Sequence, residues 1–285
     1  VDLFLKPAWA EKLRDLVTAV HDEGAKIAIQ LWHGNDLHGD AVAPSADGPR
    51  RAITSEEIRT VADKFAGAAS RCAEVGFDGA EIHGAHGYFI HQFFSPLTNR
   101  REDEYGGPAE KRMRLALELV RAMRKSASAR FLLFYRHSAV DGEEGGTTIE
   151  DSILLARALQ THWLDVIDVS AGRGQQGSLS IPDASSPEGT HADLAGKIKA
   201  AVSIPVIAVG RIQTREIAKK ILAEGKADLI AAGRQLLADP FWPKKIQEGR
   251  EGEIVFCTYC DTCTSEMRAG RPISCPQNPD LGRET

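Results

Sequence analysis

The sequence predicts an α/β fold, a (β/α)8 TIM barrel that lacks its first two βα units in this chain and carries a Cys-rich C-terminal extension. Three observations predict it. Strand and helix patterns alternate through most of the chain, and such alternation implies a parallel sheet with right-handed crossovers. Six strands can be counted, each separated from the next by a helix, two short of a closed eight-stranded barrel. The chain also opens at Val1, directly before a helix, so the first part of the natural protein is expected to be absent from this sequence. Its 285 residues, 42% of them hydrophobic, suffice for one large core.

The elements follow in order. A helix opens near Pro7, places Leu13, Leu16, Val17 and Val20 on one face, and ends near Gly24. A strand spans 26–31, and the Gly-, Pro- and Asp-containing stretch 33–52 reads as a long loop. Thr54 and Glu57 form a capping box, with Ile53 and Ile58 as its hydrophobic staple, opening a helix that runs to about Val75. A strand at 79–83 follows. Helix 109–125 precedes strand 131–135, helix 148–160 precedes strand 166–169, helix 192–201 precedes strand 205–209, and helix 214–224 precedes strand 228–232. A short helical connection fills 236–250, where the alternation stops. The expected organisation is a barrel domain over residues 1–250 and a Cys-rich metal or iron–sulfur segment over 251–285.

Bulk properties exclude several function classes. A formal charge of −5 argues against a broad nucleic-acid surface. No apolar run reaches the roughly 18–20 residues needed to span a bilayer, and no signal-peptide pattern is visible. A cytoplasmic protein is expected, with no membrane partner. Four of the five cysteines fall in the last 30 residues; reduced thiolates on a metal fit them better than a disulfide framework.

The stretch 76–107 carries the most chemistry. Its strand ends in His83, His86 and Tyr88, three side chains able to hold or move protons, and Gly84 and Gly87 let the backbone turn tightly between them. Residues just past the C-terminal end of a barrel strand face the active site. Val209-Gly210-Arg211 and Ala232-Gly233-Arg234 close the last two strands, where barrels often bind phosphate. The spacing Cys257-x2-Cys260-x2-Cys263-x11-Cys275-Pro276 resembles iron–sulfur ligation, with tetrahedral Zn2+ as the alternative. Cys72, at helical spacing from Phe65 and Val61, reads as a core residue.

With these residues in place, the chain resembles the Old Yellow Enzyme family of FMN-dependent NADH:flavin oxidoreductases, in particular its 2,4-dienoyl-CoA reductase / trimethylamine dehydrogenase branch. The resemblance rests on His83-Gly-Ala-His86-Gly-Tyr88 and the following Gln92-Phe-Phe-Ser95-Pro96-Leu-Thr98-Asn99-Arg100-Arg101, and covers nearly the whole chain. It implies that His83 and His86 hydrogen-bond the carbonyl oxygen of an α,β-unsaturated substrate while Tyr88 supplies a proton to the α-carbon. It further implies that Gln30 binds the flavin pyrimidine edge, that Arg136 sits beside the flavin N1–C2 region, and that Gly210, Arg211, Gly233 and Arg234 hold the FMN phosphate. An ion pair to Glu143 or Glu144 is the competing reading of Arg136, and His91 is expected to support the site from behind or to lie on the surface. The chain departs from the family at Gly34-Asn35, where a Gly-Arg pair is usual.

The implied activity is reduction of an activated C=C bond in an enone or enoyl substrate with electrons from NAD(P)H. Flavin-linked amine oxidation and a non-catalytic flavin- or metal-binding subunit are the alternatives. The branch carries a [4Fe-4S] pattern after its barrel, and larger relatives follow it with an FAD- and NAD(P)H-binding domain. This chain has no GxGxxG after a strand, which leaves three readings: that domain was removed, an electron-donating flavoprotein domain or subunit is a partner, or the metal is structural; a homo-oligomer is the expected assembly.

Overall fold

Hydrophobic spacing and local capping signals account for the order of elements. A computed structural model describes residues 7–174 and 179–283; Val1 lies outside them. Helix α1 (Pro7–Asp22) leads into β1 (Ala28–Leu31). Three short strands follow, β2 (Asp36–Leu37), β3 (Asp40–Ala43) and β4 (Arg51–Ala52), and they form a separate small sheet. The long loop expected over 33–52 is therefore partly ordered as strands, too short for any side-chain period to announce them.

Helix α2 (Ser55–Val75) opens on the expected capping box: the Thr54 hydroxyl accepts the Glu57 N–H at 3.2 Å, and the Thr54 N–H donates to the Glu57 carboxylate at 2.9 Å. Ile53 and Ile58 are both buried beneath it. Cys72 is buried in the core, as its spacing predicts, and burial pushes its thiol up to about 11. Then come β5 (Gly79–Gly84), α3 (Phe89–Phe94), α4 (Ala109–Arg112), α5 (Arg114–Ser126) and β6 (Leu132–Ser138). The single helix expected over 109–125 breaks at Met113, and the strand carrying Arg136 continues past it to Ser138.

Helix α6 (Ile149–Thr161) opens on a second capping box, Thr148 with Asp151. After it follow β7 (Val166–Ser170), α7 (Ala192–Lys199), β8 (Val206–Ala208), α8 (Arg215–Ala223) and β9 (Leu229–Ile230). The C-terminal part holds α9 (Arg234–Ala238), α10 (Trp242–Gln247), a 3-10 turn at Glu251–Glu253, and α11 (Thr262–Arg268) within the cysteine segment.

The main sheet has six strands in the order β1-β5-β6-β7-β8-β9, all parallel, with β1 and β9 at its edges. Alternation along the strands divides it into two unlike faces. Leu31, Ile82, Leu133, Tyr135, Ile167, Val169 and Val206 are buried in one core with Phe65, Leu119, Leu155 and Ile198 of the flanking helices. Each such aliphatic or aromatic side chain contributes roughly 1.5–3 kcal/mol on burial. The alternate positions carry Gln30, Glu81, His83, Arg136, Asp168 and Ser170, and the register aligns Gln30 with Glu81 and aligns His83, Arg136 and Asp168 across three strands. The helix-facing side is apolar, and the other side carries the polar groups.

Candidate functional site

The turn after β5 gathers three candidate residues. Gly84 has Tyr135 against it so closely that a Cβ would lie 2.2 Å from the ring, and Gly87, at φ 76°, would place one 1.8 Å from the Arg173 carbonyl oxygen. His86 itself adopts φ 58°, which reverses the chain and returns Tyr88 towards the strand. The rings of His83 and His86 lie 5.3 Å apart, those of His83 and Tyr88 5.1 Å apart and edge-on, and Trp32 meets Tyr88 edge-on at 5.4 Å.

Both imidazoles are held neutral. Burial first, and then the Arg136 charge, push His83 down to about 4 and His86 down to about 2. The His83 Nδ1 accepts the Ala85 N–H at 3.3 Å, so the proton of the neutral ring sits on Nε2. The His86 backbone N–H donates to the Ser138 hydroxyl at 3.0 Å, and its Nε2 lies 2.7 Å from the Ser170 hydroxyl on β7.

His91 is fully buried, which removes the surface reading. Its Nδ1 accepts the Gly87 N–H at 2.8 Å and its Nε2 faces the buried Asp141 carboxylate at 2.9 Å, off the line of an ideal hydrogen bond. Ser95 and Thr147 also donate to Asp141, at 2.6 and 2.9 Å, so this cluster pins the turn to the loop after β6.

Arg136 pairs with the buried Asp168 beside it on β7, not with Glu143 or Glu144; Glu143 is taken by Arg173. Glu81 shares the same polar face. Burial and the Asp168 charge push its carboxyl up to about 7, against the pull of Gln30 and Arg136. Two carboxylates beside one guanidinium leave the second negative charge uncompensated, and burial pushes Asp168 upward as well. Gln30 lies at the exposed edge strand, where its Nε2 donates to Glu81 at 2.6 Å.

A cavity of about 300 Å3 joins the ends of β7, β8 and β9. It brings together six of the predicted residues, His86, Arg136, Gly210, Arg211, Gly233 and Arg234, and extends to Ser170, His191 and Tyr259, which sequence reasoning missed. His83 adjoins it through the His86 ring and Tyr88 through His83, whereas Gln30 stands apart and connects through Glu81. Arg211 donates to the Ala184 and Ser186 carbonyls, leaving its buried Nε without a partner, and Arg234 donates to the Pro182 carbonyl and pairs with Asp261 at 2.7 Å. A Cβ on Gly233 would meet nothing within 4 Å, so space is open beside the two guanidinia. Positive charge, open space and a volume at the small end of ligand sites fit an anionic phosphate end of a cofactor.

The cysteine segment packs against this cavity through Gln235, which donates to the Val255 carbonyl and accepts the Cys257 N–H, each at 3.0 Å. All four thiols are free. Burial pushes the Cys257 thiol up, with Cys263 and Cys275 adding to the effect, while Cys260 is exposed and its thiol lies 3.3 Å from the Thr262 hydroxyl. The donors are chemically right for iron–sulfur or zinc ligation. Among the described residues, however, no three His, Cys, Asp or Glu side chains are arranged to hold a metal ion. Among them, too, no helix is long and apolar enough to cross a membrane.

Residues 8–253 match the sequence profile of the NADH:flavin oxidoreductase / NADH oxidase family. The chain belongs to that family. Among its relatives is the "NADH oxidase" of Thermoanaerobacter brockii, 40% identical over 95% of this chain and 44% of its own length. Among solved members, a 2-naphthoyl-CoA reductase in complex with 2-naphthoyl-CoA superposes with a TM-score of 0.92 at 29% identity, covering 98% of this chain and 46% of that one. Histamine dehydrogenase from Rhizobium sp. 4-9 superposes with a TM-score of 0.87 at 30% identity, covering 95% of this chain and 42% of that one. The chain thus spans less than half the length of these family members. The resemblance to the dienoyl-CoA reductase and trimethylamine dehydrogenase branch is borne out, and the six-stranded sheet is the family's α/β barrel architecture.

Proposed function

We propose that the protein binds FMN on the polar face of the sheet and uses electrons from NAD(P)H to reduce the activated C=C bond of an α,β-unsaturated carbonyl or enoyl substrate. The observation that carries this reading is the neutral His83, with its Nε2 proton available, 5.1 Å from the Tyr88 ring. When bound, FMN supplies hydride for the β-carbon of the substrate. The Nε2–H of His83, together with His86, donates to the substrate carbonyl oxygen and stabilises the enolate-like charge that gathers there. Tyr88 delivers a proton from its hydroxyl to the α-carbon. Neutral imidazoles suit this task because they donate hydrogen bonds without protonating the oxygen outright.

On the cofactor side, the anionic phosphate end fits Arg211, Arg234, Gly210 and Gly233. Arg136 brings positive charge to the same cavity, tempered by Asp168. Gln30 keeps its carbonyl oxygen free to accept from a flavin ring N–H because its amide donates to Glu81. We take residues 1–250 as the flavin-binding barrel and 251–285 as a cysteine-rich segment. The spacing of Cys257, Cys260, Cys263 and Cys275 supports a [4Fe-4S] cluster, with Zn2+ as the alternative. Electrons would reach such a centre from a flavoprotein domain or subunit, and a cytoplasmic setting agrees with four reduced thiols.

Similarity to histamine dehydrogenase supports a second reading, flavin-linked amine oxidation. Anaerobic purification followed by a visible spectrum and metal counting tests the cofactor reading, and absence of flavin absorbance after addition of FMN would refute it. Turnover of an enone with NADPH, against turnover of an amine with an artificial acceptor, separates the two activities.

A further inference from the structure

Tyr259 combines three properties that are seldom found together. It lies between Cys257 and Cys260, it is buried to 6% exposure, and its backbone holds φ 53°, a left-handed conformation that a bulky residue adopts only at a cost. What holds it there is visible. Its N–H donates to the Cys257 Sγ at 3.4 Å, and its ring meets two guanidinia, with the Arg211 carbon 4.4 Å and the Arg234 carbon 4.7 Å from the ring centre. Those arginines close two consecutive strands at one end of the cavity, and like charges do not converge unaided.

We propose that Tyr259 is a positioning residue that clamps Arg211 and Arg234 together at the anion-binding end of the cavity, making the cysteine segment a working part of the phosphate subsite. The inference rests on the flavin reading above. The electron-rich faces of the phenol offset the repulsion between the guanidinia. Asp261, two residues on, pairs with Arg234, and Gln235, next to that arginine, holds the Cys257 N–H, so the clamp is fastened at both ends. Displacement of the cysteine segment therefore removes the ring that both arginines share and the Asp261 partner of Arg234, leaving each guanidinium only its backbone carbonyl contacts, and affinity for the phosphate group, not for the isoalloxazine ring, registers the change.

The test compares FMN with riboflavin, which lacks the phosphate, by fluorescence titration of flavin-free protein. Tyr259→Gly removes the ring and also relieves the left-handed strain, so loss of fold is not its expected consequence. Tyr259→Leu keeps bulk without a π face, and Tyr259→Phe keeps the face. The Gly and Leu variants should weaken FMN binding by about tenfold, as expected for two lost cation–π contacts, leave riboflavin binding unchanged, and flatten the salt dependence of FMN affinity. The Phe variant should retain the wild-type ratio. A Gly or Leu variant with the wild-type ratio of FMN to riboflavin affinity, or one that loses both flavins in parallel, overturns the clamp. Wild-type protein that binds neither flavin overturns the flavin reading itself, a result distinct from either.

Discussion

His91 and Asp141 face one another at 2.9 Å in a fully buried site behind the turn that carries His86 and Tyr88, with no water-exposed surface on either side chain. The approach of His91, and then the hydrogen bonds from Ser95 and Thr147, hold the Asp141 carboxyl down at about 2 despite its burial. Asp141→Asn should therefore destabilise the fold by about 3 kcal/mol, the scale for removing one partner of a buried pair. A group depressed below its unfolded value of about 3.9 adds stability above that pH and loses it on acidification. Urea unfolding should show about 2 kcal/mol lost as pH falls from about 4 through about 2, with the loss missing in the variant.

The buried neutral His83 makes a second pH signature. Its unfolded value is about 6.5, and its folded value is pushed down to about 4. The unfolded chain binds the proton first, so stability is complete above about pH 6.5 and declines towards pH 4, by about 3 kcal/mol for this group. His83→Gln should flatten the urea midpoint between those limits relative to wild type.

Tyr88→Phe removes a hydroxyl and leaves the ring contacts with His83 and Trp32. Under the proposed mechanism, enone turnover should fall by about 100-fold, while flavin reduction by NADPH proceeds at the wild-type rate. His83→Ala should cost about 100- to 1000-fold in the same oxidative half-reaction. Stopped-flow measurement of the two half-reactions checks both variants.

Gly87→Ala places a Cβ 1.8 Å from the Arg173 carbonyl at a backbone angle of φ 76°. The Arg173 and Gly174 atoms it meets are all backbone, so relief requires moving the turn or the loop after β7. A loss of at least about 2 kcal/mol is expected, with thermal unfolding as the measurement.

Much of this was legible in the sequence because the relevant signals are local. Thr54 with Glu57 announced the start of α2, and the alternation of strand and helix signals located every strand of the main sheet. Six of the residues gathered by the cavity, His86, Arg136, Gly210, Arg211, Gly233 and Arg234, were legible from their strand-end positions. The strands within 33–52 were not, since two or four residues carry no period. Glu81 and Asp168 were missed because their meaning depends on the register that sets them beside Gln30 and Arg136. Tyr259 sits inside a conspicuous cysteine motif, yet its role depends on arginines 48 and 25 residues upstream, which only folding brings to it. His191 lies in a loop with no pattern to read.

The two-faced sheet has a consequence for quality control. A slip of one residue between β5 and β6 would exchange every inward group for its outward neighbour, turning Tyr135 towards the cavity and Arg136 towards the helices. Such a species would bury a guanidinium among the apolar groups of the helix-facing core and withdraw the Arg136 charge from the cavity. Misassembly is thereby penalised twice, in stability and in the charge that lines the cavity, so anion affinity per folded molecule becomes a direct gauge of correct strand alignment.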